Sequence, residues 1–279
     1  MTQPPIARSL ASLSPTDDWL EADIGPAPDG WLRAGDVGHD PAVLAELEGR
    51  TRAAIGARDR LSLGAMMVWR WGEVGRVASV LFLRHRRVPD LDPERVAFVP
   101  YTDESPTRVR LASAAFACLA DDPDAENPDA TPLPSLHELR AELVRQVERF
   151  VEPAIEPIGA ATGLGRKPSW GLAAGAALVT LAETIAQEGD PNGAARELDA
   201  LLAEADRFAV APPSAEVFVH AGGAHLAVRL GACCRAWRWL DRPGQKCAFC
   251  PILSRDERLA RHLEPENHAS TACASRPSR

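Results

Sequence analysis

Apolar positions recur at helical spacing over several long stretches of the chain. Asp40-Pro41 pairs an N-cap with proline at the first helical position, and Val43, Leu44 and Leu47 carry the pattern toward Ile55. Residues 61–83 set Trp69, Val74, Val77, Val80 and Leu81 on one side of a second helix. That stretch ends in Arg84-His85-Arg86-Arg87, read as cations placed favourably at a helix C-terminus rather than as an anion contact. Ser135 with Glu138 makes a capping box, after which Leu136, Leu139, Leu143, Val147 and Phe150 share a face. Further helices are predicted over residues 168–187 and 194–205.

Between these stretches the period shortens to two. Residues 95–101 and 107–116 read as strands of a hairpin joined by the polar turn Asp103-Glu104-Ser105-Pro106. Residues 216–220 and 225–230 read as a second hairpin around Ala221-Gly222-Gly223-Ala224, and its outgoing strand leads into a group of cysteines. The first forty residues, broken by proline and glycine, read as irregular. Residues 121–134, rich in Asp and Pro, read as a flexible excursion or a subdomain boundary. The expected architecture is α+β, mostly helical, with a small antiparallel sheet and a C-terminal four-cysteine segment. The expected organisation is an N-terminal segment and helix (1–60), an α+β body (61–228), the cysteine motif (229–253) and a basic polar tail (254–279).

Composition adds bounds. A chain of 279 residues, 46% apolar, can bury a substantial core. Its formal net charge of -8 argues against nucleic acid or an anionic membrane surface as a partner recognised by overall charge. The N-terminus has no continuous apolar run of the signal-peptide kind, and the longest apolar run, residues 171–179, is too short for stable membrane insertion. A cytoplasmic location is expected, where thiols stay reduced. The mean charge conceals one reversal: between Arg229 and Arg261 there are eight basic and three acidic residues.

The informative chemistry lies in that basic stretch. Cys233, Cys234, Cys247 and Cys250 fall within eighteen positions, with Pro243-Gly244 able to turn the two pairs toward each other. Cys247-x-x-Cys250 is a metal knuckle, in which two intervening residues let both sulfurs face one site. Neighbouring side chains on a strand point to opposite faces, so Cys233 and Cys234 can share a site only if the backbone turns there. Tetrahedral zinc, a two-iron cluster and a redox dithiol at Cys247 and Cys250 all compete, and four unligated cysteines are the least favoured reading. Arg229, Arg235, Arg238, Arg242 and Lys246 form either a surface for an anionic substrate or a solvated cationic rim. Trp237 and Trp239 alternate as on one face of a strand, more suited to packing than to shielding a cluster. His220 and His225 read as structural, Cys118 as a buried small residue, and Cys273 as part of the tail.

The order Cys-Cys, an aromatic-rich spacer, Pro-Gly, Lys and Cys-x-x-Cys-Pro resembles the C-terminal motif of the ferric siderophore reductase (FhuF-like) family. Val88-Pro89-Asp90-Leu91, the helix start Pro168-Ser169-Trp170-Gly171 and the strand ending Val228-Arg229 are similar in kind and order to that family, so the likeness runs from about Leu61 to Leu253. Two features depart from it: the spacer from Arg235 to Lys246 has twelve residues where the family usually has ten, and Leu172 stands where Asn is frequent. The resemblance implies that Cys233, Cys234, Cys247 and Cys250 hold a [2Fe-2S] cluster, and that the activity is one-electron reduction of a ferric siderophore. Arg235, Arg238 and Lys246 would then face the substrate. No dinucleotide fingerprint or P-loop occurs, and Gly163-Leu164-Gly165-Arg166-Lys167 fits neither, so an external electron donor, a flavoprotein or ferredoxin, is expected. The alternative is a zinc-stabilised interaction protein without redox activity.

Overall fold

A computed structural model of the chain describes residues 3–13, 20–56, 59–99, 107–238 and 246–264. Its first forty residues correct the irregular reading. They contain α1 (Pro5–Leu13), β1 (Leu20–Ile24) and β2 (Leu32–Arg33). Pro5 sits in the first turn of α1, where a missing N–H costs nothing, and Ile6, Leu10 and Leu13 then fall on one buried face. What resembled a breaker is a helix start.

The core is organised around one long helix. After α2 (Pro41–Ile55), which Asp40 caps by accepting from the Ala42 N–H at 2.8 Å, comes α3 (Arg60–His85), whose Leu63, Met66, Val74, Val77 and Leu81 are wholly buried. Trp71 stacks on Phe150 with ring centroids 5.2 Å apart and meets Phe98 edge-on at 5.1 Å. Its indole N–H donates to the Phe150 carbonyl, so the polar edge of this large side chain is satisfied inside the core. Phe150 belongs to α4 (Leu136–Thr162), which begins as expected with Ser135 accepting from the Glu138 N–H.

The predicted helix over 168–187 is α5 (Arg166–Ala174), a π-helical turn at Gly175–Val179 and α6 (Thr180–Gln187) in unbroken succession. Ser79 of α3 donates to the Ala177 carbonyl in that turn at 2.7 Å. This composite helix is longer than the apolar run read from the sequence. Its 22 residues are long and apolar enough to cross a membrane by composition, and 72% of its most apolar window is buried inside the protein. That apolar surface is used against α3.

The expected single antiparallel sheet is, among the described residues, three small sheets. β4 (Val96–Val99) pairs antiparallel with β5 (Thr107–Leu111), which bears out the first hairpin; its turn lies outside the described residues. β1 joins β5 in parallel and β2 joins β4 antiparallel, giving the order β1-β5-β4-β2. Phe116 belongs instead to β6 (Phe116–Leu119), which lies between β3 (Arg87–Pro89) and β7 (Ala130–Leu133). Two of the three sheets are therefore mixed. The cause of the second lies in the acidic loop, which is no loose excursion: Asp122 and Asp124 each approach Arg87 Nη2 at 2.6 Å. This ion pair folds the loop back so that β7 can reach β6. Arg87 is thus a buried anchor, while Arg86 closes α3 with φ 52° and Arg84 pairs with Glu188.

The C-terminal part follows α7 (Pro191–Ala203). β8 (Ser214–His220) and β9 (Gly223–Arg229) form the second predicted hairpin in antiparallel register. Beyond the cysteines the chain is not all tail. α8 (Arg255–His262) starts with a capping box between Ser254 and Glu257, and buries Arg258 and His262.

Candidate metal centre

Three backbone segments meet where β9 ends. The Leu230 N–H bonds the Phe249 carbonyl at 3.0 Å, drawing the Cys247–Cys250 turn alongside the strand end. A Cβ at Gly231 would lie 1.7 Å from the Ala211 carbonyl oxygen, and one at Gly171 in α5 would lie 2.9 Å from that same oxygen. Only hydrogen at both positions lets helix, loop and strand end touch. The loop bearing Ala211 is itself fixed from the core, because Glu148 accepts from the Arg207 and Phe208 N–H groups at 2.8 Å each. Burial pushes the Glu148 carboxyl up, against the pull of those donors. Phe208 packs edge-on against the buried Trp170, with centroids 5.9 Å apart. The Trp170-Gly171 pair, part of the family resemblance, therefore has a structural role under the cysteines.

The Cys233-Cys234 pair does turn. Arg235 follows it with φ 60°, in the left-handed region that a side chain rarely adopts, and its N–H points back to Cys233 Sγ at 3.4 Å. The chain then runs through a 3-10 turn, Ala236–Arg238. This corrects the placing of Trp237 on a strand face. Trp239, Arg242 and the Pro243-Gly244 turn lie outside the described residues, as does Cys273.

On the other side, the Cys250 N–H bonds the Cys247 carbonyl at 3.1 Å and the Leu253 N–H bonds the Cys250 carbonyl at 3.2 Å, which closes the knuckle. α8 braces it from behind. His262 meets the Phe249 ring edge-on at 5.2 Å, and its Nε2 lies 3.2 Å from the Val228 nitrogen in β9.

All four cysteines, with Leu230, Trp237 and Pro251, line one small pocket. Cys233 Sγ lies 3.9 Å from Cys250 Sγ. Cys234 and Cys250 are buried, whereas Cys233 and Cys247 are half-buried, so one edge of the sulfur group is nearer solvent. Without a bound cation these sulfurs stay protonated. Contact with Cys250 and burial push the Cys233 thiol up. Cys250 is pulled down by Cys233, but contact with Cys247 and burial outweigh this and push it up to about 11. Clustered thiols lose their protons readily only when a cation shares the pocket. The Trp237 indole nitrogen is also shut off from solvent, with no hydrogen-bond partner among the described residues. By the chemistry of its donors, a pocket walled by four thiols fits a thiolate-held iron-sulfur group. Among the described residues, no group of three or more His, Cys, Asp or Glu side chains is arranged to hold a single metal ion.

The other candidates separate. Cys118 is wholly buried in β6, away from the pocket. His220 stands exposed and His225 half-buried near the hairpin tip, where His225 Nε2 contacts the His220 carbonyl at 3.3 Å; they are not among the pocket's lining residues. Four of the eight basic residues face the protein's own acids: Arg255 pairs with Glu216, Arg261 with Glu264, and both Arg235 and Arg238 with Asp59. Lys246 is half-buried beside the knuckle and Arg229 is exposed. Asp59 and His262 are the residues that the sequence pattern did not single out. Asp59, just before the apolar run of α3, is the residue type that caps helices, a signal that would have marked the cap but not its arginine partners. No protein-family model matches this chain, and no curated protein matches it.

Proposed function

We infer that the chain is a [2Fe-2S] protein that reduces the iron of a ferric siderophore to Fe(II) by one-electron transfer in the cytoplasm. The supporting observation is that Cys233, Cys234, Cys247 and Cys250, from two separate turns, line a single pocket. These four would be the ligands. When bound there, a [2Fe-2S] cluster supplies one electron at a time, at a potential tuned by charge, exposure and hydrogen bonds to sulfur.

The chain's own groups set those conditions. The Arg235 N–H at Cys233 Sγ favours negative charge on that sulfur, and the Ile252 N–H does the same for Cys250. The braced knuckle and the contact at Gly231 keep the ligand positions fixed. Half-burial of Cys233 and Cys247 leaves an edge through which a bulky ferric complex or an external donor, a flavoprotein or ferredoxin, can exchange an electron. Fe(III) is held tightly by the hard oxygen ligands of a siderophore and Fe(II) far less well, so reduction amounts to release.

Dithionite-reduced, desalted protein mixed anaerobically with a ferric trihydroxamate and a chromogenic Fe(II) chelator should yield about one Fe(II) per chain as its visible spectrum returns to the oxidised form. Reduced protein that keeps its electron in the presence of the ferric complex would overturn the assignment.

A further inference from the structure

We propose that Asp59 is the positioning residue for the Cys233-Cys234 arm of this centre. The proposal rests on the cysteine pocket being a cofactor site, but its geometry stands independently. Asp59 is the N-cap of α3, and accepts from the Ser62 N–H at 2.9 Å and the Ser62 hydroxyl at 2.7 Å. Its carboxylate also faces two guanidiniums from a segment far along the chain. Arg235 Nη2 lies 3.7 Å from Oδ1, and Arg238 Nε lies 3.5 Å from Oδ2. Ser62 adds a contact of 3.4 Å to Arg235 Nε.

Each arginine passes this anchorage to the pocket by a different route. Arg235 holds the strained left-handed turn whose N–H meets Cys233 Sγ. Arg238 lies over the ring of Trp237, which lines the pocket, with its guanidinium carbon 5.6 Å from the ring centroid. A left-handed non-glycine residue needs surrounding interactions to keep it there, and the Asp59 carboxylate supplies one from the N-terminal end of a 26-residue helix. Asp59 also carries enough electrostatic bias to stay ionised at neutral pH: partial burial pushes its carboxyl up, but the Ser62 bonds and both arginines outweigh this and lower it.

The test is Asp59→Asn in the full chain, because Asn keeps the helix cap while removing the charge. The main readout is the alkylation rate of each cysteine, measured by mass spectrometry on reduced, chelator-treated protein. Cys233 and Cys234 should react about three- to tenfold faster than in the wild type, the range expected for losing two partly exposed ion pairs, with buried Cys118 unchanged. The double variant Arg235→Gln/Arg238→Gln should reproduce this, and adding Asp59→Asn to it should produce little further change. In protein that still holds its iron, the same substitution should speed iron loss to a chelator by a similar factor.

Unchanged Cys233 and Cys234 rates, or rates that rise together with that of Cys118, would overturn the clamp. If Asp59→Asn does not fold, the arginine double variant decides the matter by the same comparison. A wild type that holds no iron would defeat the cofactor reading, while the thiol rates would still decide whether Asp59 holds the arm.

Discussion

Serine in place of Cys247 is expected to remove the visible chromophore and reduce bound iron to background. An alcohol keeps its proton at neutral pH and offers a hard oxygen where a soft thiolate is needed. Cys247 also begins the knuckle whose carbonyl receives the Cys250 N–H, so the loss falls on the ligand and not on the turn, which is made by backbone. Cys118→Ser provides the comparison: that thiol is wholly buried in β6, outside the pocket, and its replacement should leave the spectrum unchanged. Absorption and iron content read together decide the point. An unaltered spectrum in Cys247→Ser would remove Cys247 from the ligand set.

The second large effect is steric. Gly231→Ala places a methyl group 1.7 Å from the Ala211 carbonyl oxygen, far inside van der Waals contact, and the obstruction is backbone that Glu148 fixes through two N–H bonds. A flexible side chain could give way, but this loop has little freedom to do so. The expected cost is about 3 kcal/mol or more, at the upper end of overpacking, which for a chain of this length means a fall in Tm of roughly 5 °C or more. Gly49→Ala in α2 meets no atom within 4 Å and should leave Tm unchanged or slightly raised. Since Gly231 leads directly into Cys233, its substitution should also disturb the pocket before the rest of the fold. A wild-type Tm for Gly231→Ala would refute the three-segment contact.

What the sequence made legible was local. Asp40-Pro41 and Ser135 with Glu138 announce helices because capping is settled within one turn, and Ala221-Gly222-Gly223 marks a hairpin because the turn requires it. The cysteine motif was visible for the same reason, two short turns close in sequence. Features that depend on distant partners were not. β1 needs β5, with Leu20 opposite Thr107, and β3 needs β6, with Arg87 opposite Cys118; such short strands carry no periodicity of their own. The acidic stretch around Asp122 could not be placed without Arg87. Arg235 and Arg238 read only as part of a basic cluster, substrate surface or solvated rim, because Asp59, more than 170 positions earlier, is silent about its arginines until the chain folds. Trp237 read as a strand residue because nothing in the sequence requires the left-handed turn at Arg235.

The most direct measurement is the iron, acid-labile sulfide and zinc content of the full chain purified without oxygen, together with its visible spectrum before and after dithionite. The account predicts a reddish-brown protein with about two iron and two sulfide per chain that bleaches on reduction. A colourless protein carrying stoichiometric zinc would contradict it.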